Sequence, residues 1–302
     1  MNTDSNTPSE QPTGEHLTRL NQYARALLHA SNEERIAYVR KDRFIKHEKV
    51  DIILRALRRT FESPGGERPR CLAIIGSSNH GKTALINHFH RSVGGDAARR
   101  EGSHNTMPVV VVEAPSRCTA PKLELEIARA IGEPFTPAMK PRELSVTILQ
   151  SLVELKTRIL LINEFHHVDP IPPKERTVVY DTIKNITNRG VHVVIIGTKV
   201  IDRLRQEDEQ IQNRFRPIHL NGFERKESAF LNFLATSETY YPLPQPSGLH
   251  NEELADIIFR RTKGVMGEVV SLCNAAAVHA IEHNLPCIDK KCLTDCEDYL
   301  ES

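Results

Sequence analysis

The chain has 302 residues, 39% hydrophobic and 26% charged, enough for one large and one small domain, and no apolar run approaches the roughly 18 residues of a membrane span. Forty Lys and Arg against 39 Asp and Glu give a formal charge of +1, which excludes bulk attraction to nucleic acid and leaves any such contact to local clusters. The absence of Trp and the 5% aromatic content argue against a stacking platform for single strands.

Residues 1–16 are polar and carry neither the basic start nor the apolar core of a secretory signal. They are expected to be disordered, and the chain to be soluble and cytoplasmic. Residues 17–66 read as an N-terminal helical segment, with helical spacing over 17–28 and over 49–61 (Val50, Ile53, Leu54, Leu57) and a stop at Pro64-Gly65-Gly66. Across 67–221, short apolar runs alternate with longer helical ones, the pattern of a parallel sheet sandwiched by helices. Strands are predicted at 71–75, 109–113, 159–162, 191–196 and 217–220, and helices near 82–93, 122–131, 142–155, 175–189 and 200–207. Over 222–302 the strand signals stop, and helices are predicted at 225–235, 251–262, 267–283 and 289–300. A proline-rich loop at 241–248 interrupts this C-terminal all-helical lid domain.

The sequence Gly76-Ser77-Ser78-Asn79-His80-Gly81-Lys82-Thr83 follows a buried-type strand and opens a helix, and with Ala84 it makes up the expected nucleotide-binding residues. This GxxxxGK[ST] spacing lets backbone N–H groups curl around phosphate oxygens, with the positive helix end behind them. Lys82 then faces the β and γ phosphates of ATP, and the Thr83 hydroxyl faces Mg²⁺. Further on, an apolar strand ends in Asn163-Glu164, where a second motif would lie. The usual first residue there is Asp, which holds Mg²⁺ through a water. Asn163 can still accept a hydrogen bond from that water but brings no charge, so weaker Mg²⁺ binding and slow hydrolysis are expected. Glu164 is placed to orient and polarise the attacking water. The strand at 191–196 ends in Gly197-Thr198-Lys199, which puts the Thr198 hydroxyl close to the γ-phosphate if the strands lie side by side. Lys199 and Asp202 do not match the guanine-reading NKxD spacing, which argues against GTP.

The six cysteines, Cys71, Cys118, Cys273, Cys287, Cys292 and Cys296, have no disulfide-framework spacing and are expected to be reduced. His279, His283, Cys287, Cys292 and Cys296 raise a zinc reading. There is no CxxC, however, and a helix over 274–282 makes the two histidines simple i,i+4 neighbours.

GSSNHGKT at 76–83, the Arg117-Cys-Thr-Ala-Pro loop, LLINEFH at 160–166, VVIIGTKVIDRL at 193–204 and QNRFRPIHL at 212–220 together resemble the AAA+ ATPases. Within them the likeness is to the TniB/TnsC group of transposition regulators. The resemblance implies that Thr198 senses the γ-phosphate and that Arg214, with Arg216 beside it, is the finger reaching a neighbouring subunit's ATP. It implies that Phe44 and Ile45 contact the adenine, and that Arg117, Thr119 and Lys140 line a channel for duplex DNA. It further implies a homo-oligomer, ring or helical filament, that works with a DDE-type transposase. The turn Lys263-Gly-Val-Met-Gly-Glu268 has no arginine where many AAA+ lids carry one. A replication loader or initiator, or an ATP-gated scaffold with little hydrolysis, remains an alternative reading.

Overall fold

The computed structural model describes residues 14–64, 69–94, 99–101, 104–135 and 139–300, so most of the polar N-terminus and Gly65 and Gly66 lie outside the described residues. The chain divides into two compact units, Lys49–Asn221 and a second formed by Met1–Glu48 with Gly222–Ser302. The expected helical segment 17–66 is therefore shared between them.

The larger unit begins within α4 (Glu48–Glu62) and continues through β1 (Cys71–Ile75), α5 (Lys82–Ser92), the short hairpin β2 (Arg99–Glu101) and β3 (His104–Thr106), and β4 (Val109–Glu113). It goes on through α6 (Ala120–Ile131), α7 (Pro141–Glu154), β5 (Ile159–Asn163), α8 (Pro173–Thr187), β6 (His192–Gly197), α9 (Val200–Gln206), α10 (Glu209–Arg214) and β7 (Phe215–His219). Five strands form one sheet in the order β4-β5-β6-β1-β7, and every pairing is parallel. Every residue of β1, β5 and β6 is buried, whereas the edge strands β4 and β7 are partly exposed. Central strands covered on both faces need such unbroken Val/Ile/Leu runs.

One face of α8 clamps the segment that leads into β7. Arg176 donates to both oxygens of Glu207 at 2.7 and 2.9 Å, and the buried Tyr180 hydroxyl donates to the Leu204 carbonyl at 3.1 Å. Lys184 pairs with Asp208 at 2.9 Å, and Asp208 caps α10 by accepting the Ile211 N–H at 2.9 Å. Positions 176, 180 and 184 recur every four residues, so a single helical stripe fixes α9 and α10.

The helical unit contains α1 (Gly14–Arg19), α2 (Gln22–Ala26), α3 (Asn32–Val39), α11 (Ser228–Glu238), α12 (Glu252–Thr262), α13 (Met266–Glu282) and α14 (Lys290–Asp295). The single helix expected over 17–28 is broken because Asn21 accepts the Tyr23 N–H on its side chain and starts a new helix. A further helix, α3, opens on a reciprocal capping box between Ser31 and Glu34. The proline-rich loop is tied down from within: the Glu238 carboxylate accepts the N–H groups of Ser247, Gly248 and Leu249 at 2.6 to 3.0 Å. The buried Arg35 guanidinium donates twice to the Pro242 carbonyl, at 2.7 and 3.1 Å.

Removing the Tyr180 hydroxyl takes the shorter of two donors from the buried Leu204 carbonyl and leaves it only the Glu207 N–H at 3.4 Å. Tyr180→Phe should therefore lower the unfolding free energy by about 1–2 kcal/mol in urea denaturation; an unchanged midpoint would mean that this hydroxyl does not hold α9.

Candidate nucleotide-binding site

The phosphate loop is shaped by two glycines for different reasons. At Gly76 a Cβ would stand 2.7 Å from the Leu220 carbonyl oxygen, so only a bare backbone passes between β1 and the end of β7. Gly81 sits at φ +76° directly before α5, a left-handed conformation that glycine adopts without a Cβ penalty. Asn79 shares that region at φ +60°. The loop closes on itself: His80 Nδ1 lies 2.9 Å from the Ser78 carbonyl. The buried Lys82 donates its ammonium to the Ser77 carbonyl at 2.8 Å. Burial lowers the Lys82 pKa, and the nearby Glu164 charge works against that shift. Ser77 is half-buried, whereas Ser78, Asn79, Thr83 and Ala84 are exposed. Leu85, Ile86 and Phe89 anchor α5 in the core.

Sheet order brings the other predicted groups alongside. Gly76 donates its N–H to the Gly197 carbonyl at 3.0 Å, so Thr198, the residue after β6, stands beside the start of the loop. The strand β5 lies on the other side of β6 and ends in Asn163. Asn163 is 8% exposed, and its side-chain oxygen has no hydrogen-bond partner. A buried acceptor of this kind calls for a donor, such as a water or a hydrated ion. Glu164 follows at φ +53° and opens a 3₁₀ turn, Phe165–Val168.

That turn also carries His166 and His167, to which the sequence reading gave no role. His166 Nε2 lies 3.3 Å from Glu164 Oε2, and His167 Nδ1 lies 2.8 Å from the Ala114 carbonyl. Burial lowers the pKa of His166, with the Glu164 charge opposing. The spacing Glu-x-His across one tight turn was the available signal. Glu164, His166 and His167 are the only group of three potential metal donors among the described residues, with donor atoms within 4.8 Å of one another. In the tail, His279 and His283 stack at 4.2 Å and burial raises the pKa of Cys292 to about 12; its Cys and His donors do not converge on a metal position among the described residues.

Arg214 is separated from these groups. It ends α10 next to Phe215, which pairs with Cys71 at the start of β1, whereas the loop follows Ile75, which pairs with His219. Five residues of strand, about 16 Å, lie between Arg214 and the chain's own P-loop. Its guanidinium donates to the Thr187 hydroxyl at 2.5 Å and, more weakly, to the Asn188 amide oxygen at 3.4 Å. With Pro69, Gln210 and Asn213 it lines an open cleft of about 370 Å³. Arg216, within β7, is exposed.

The loop after β4 presents Arg117, exposed at φ +50°, and Thr119, which precedes α6 without a capping hydrogen bond from its side chain. This loop is tied to the end of β5. Ala114 donates its N–H to the Asn163 carbonyl at 2.8 Å, and Cys118 donates to the His167 carbonyl at 3.0 Å. Lys140 is exposed before α7. Phe44 and Ile45 belong to the helical unit, in the irregular stretch before α4.

Known structures share this architecture. The Aeropyrum pernix ORC1 protein in complex with DNA superposes with a TM-score of 0.62 at 16% identity, over 88% of this chain and 69% of that one. The ORC2 protein of the same organism, in its ADPNP and ADP complexes, gives 0.62 at 14% identity over 86% and 71%. Cdc6p from Pyrobaculum aerophilum gives 0.61 at 13% over 87% and 70%. At such identities the likeness establishes the fold, an AAA+ P-loop sheet with a helical C-terminal region. No curated protein matches the chain in sequence. The family model described as Bacterial TniB protein matches residues 35–225, more than half of the chain and every motif from the phosphate loop to Arg214, and the chain belongs to the TniB family.

Proposed function

We propose that the chain is an ATP-dependent regulator of DNA transposition that binds duplex DNA without sequence preference. In this reading it assembles as a homo-oligomer, ring or filament, on target DNA and recruits or activates a DDE-type transposase. The observation that carries the reading is Arg214: one strand length from its own phosphate loop and lining an open cleft, it suits a neighbour's nucleotide better than its own. An arginine supplied in trans makes assembly depend on bound ATP and stabilises charge as the γ-phosphate leaves.

Within one subunit, the loop N–H groups and Lys82 hold the phosphates, the Thr198 hydroxyl reads the γ-phosphate, and Phe44 and Ile45 contact the adenine. The Thr83 hydroxyl and the Asn163 amide oxygen hold Mg²⁺, the latter through a water; the unpartnered oxygen of Asn163 fits that role. Bound Mg²⁺ supplies positive charge to the phosphates. Glu164 orients and polarises the attacking water. Because Asn163 is neutral, hydrolysis is slow, and ATP serves more as a clamp between subunits than as fuel. The same residue favours a second reading, a scaffold with little hydrolysis. A replication loader or initiator would share the fold of ORC1 and Cdc6p, but membership of the TniB family argues for transposition.

Arg117, Thr119 and Lys140 contact DNA phosphates. The chain is nearly neutral, so affinity comes from repeating this small set in every subunit. Phosphate contacts carry no sequence information, as a selector of many targets requires.

Two outcomes are expected. Duplex binding should need ATP, weaken with salt by a log–log slope of about −0.9 per phosphate neutralised, and disappear in Lys82→Ala; fluorescence anisotropy would contradict the reading if binding ignored the nucleotide. Asn163→Asp should restore the missing charge and lower the Mg²⁺ concentration at half-maximal hydrolysis about tenfold, an interaction gain near 1.4 kcal/mol; an unchanged Mg²⁺ titration would remove the argument from the neutral amide.

A further inference from the structure

The Glu164 carboxylate has a protein partner that the reading above leaves unused. His166 Nε2 stands 3.3 Å from Glu164 Oε2, while the same ring's Nδ1 is buried without a hydrogen-bond partner. These two facts select a tautomer. A proton on Nδ1 would leave a buried N–H donor orphaned and turn the Nε2 lone pair toward the carboxylate, so the proton belongs on Nε2, which faces the Glu164 carboxylate at 3.3 Å. The reverse of the ring is set by β6: a Cβ at Gly197 would come within 2.9 Å of His166 Nδ1 and 3.3 Å of its backbone nitrogen. Glycine lets the imidazole stand against the strand end that leads into Thr198. The neighbouring His167 ring lies 4.7 Å away, centroid to centroid, and bonds to the loop after β4. The turn that carries Glu164 is therefore fixed from both sides.

We propose that His166 is a positioning residue for Glu164. Its Nε2–H holds one carboxylate oxygen and leaves the other free to act on water, and its contact with Gly197 ties that orientation to the strand end at Thr198. A carboxylate on a flexible side chain at a turn with positive φ otherwise samples several rotamers, each costing the reaction its alignment. The inference rests on the reading of Glu164 as the group that activates water, and the test separates the two.

The full chain is assayed with saturating ATP, Mg²⁺ and duplex DNA. His166→Leu should lower kcat about tenfold with the affinity for a fluorescent ATP analogue unchanged. His166→Gln, whose amide can also donate, should recover most of the loss, and Gly197→Ala, which pushes on the ring, should reproduce it. Histidine ¹⁵N NMR of the nucleotide-free protein should give the Nε2–H tautomer for His166, with a resonance that moves in Glu164→Ala. Equal losses in the Leu and Gln variants, a parallel loss of ATP affinity, or an Nδ1–H tautomer would overturn the proposal. Glu164→Gln assayed alongside distinguishes the premises: if it hydrolyses like the parent, the role of Glu164 fails and this inference with it. If it is inactive while His166→Leu is not, only this inference fails.

Discussion

The parallel register of β5, β6 and β1 is the constraint on which the rest of the structure depends. Ile75 pairs with Gly197 and Ile162 with Ile195, so three loops from distant parts of the chain leave the sheet side by side. Lys82, Thr198 and Glu164 are neighbours for that reason. The same parallel pairing explains why Arg214 is not: in a parallel sheet every strand starts at one end and finishes at the other, so a residue that precedes β7 stands a strand length from the loop that follows β1. The phosphate loop, Thr198 and Glu164 stand at one end of the sheet and Arg214 at the other.

That separation gives the neutral Asn163 a meaning it lacks alone. A site that must turn over rapidly benefits from a carboxylate beside its metal. A site whose nucleotide joins one subunit to the next gains from holding it longer, and a neutral amide serves that end. The ties from the Glu164 turn to the loop of Arg117 and Thr119, through Cys118 and His167, put proposed DNA contacts and proposed water activation on one rigid piece of backbone. The α8 stripe of Arg176, Tyr180 and Lys184 does the equivalent for Arg214, since it fixes the two short helices that deliver it.

The phosphate loop, its strand and its helix were legible in the sequence because their signals are local: a buried run, glycines at fixed spacing, and apolar residues at helical period. Asn163 and Glu164 were legible as the end of such a run. What local pattern could not convey was strand order, hence the distance of Arg214 from its own loop, and the division of residues 17–66 between two units. The break at Asn21 and the helix after Ser31 were written in capping residues that apolar periodicity overlooks. The role of His166 depends on Gly197, a contact made only when β6 lies beside β5.

The central claim is that one subunit's nucleotide is completed by the next subunit's Arg214. Mixing Lys82→Ala chains, which keep the arginine, with Arg214→Ala chains, which keep the nucleotide site, tests it directly by mass photometry with a non-hydrolysable ATP analogue. Each variant alone should remain monomeric, and the mixture should form pairs, because one intact junction can be made from the two. Absence of pairs in the mixture, or assembly of Arg214→Ala alone to the extent of the parent chain, would contradict the account.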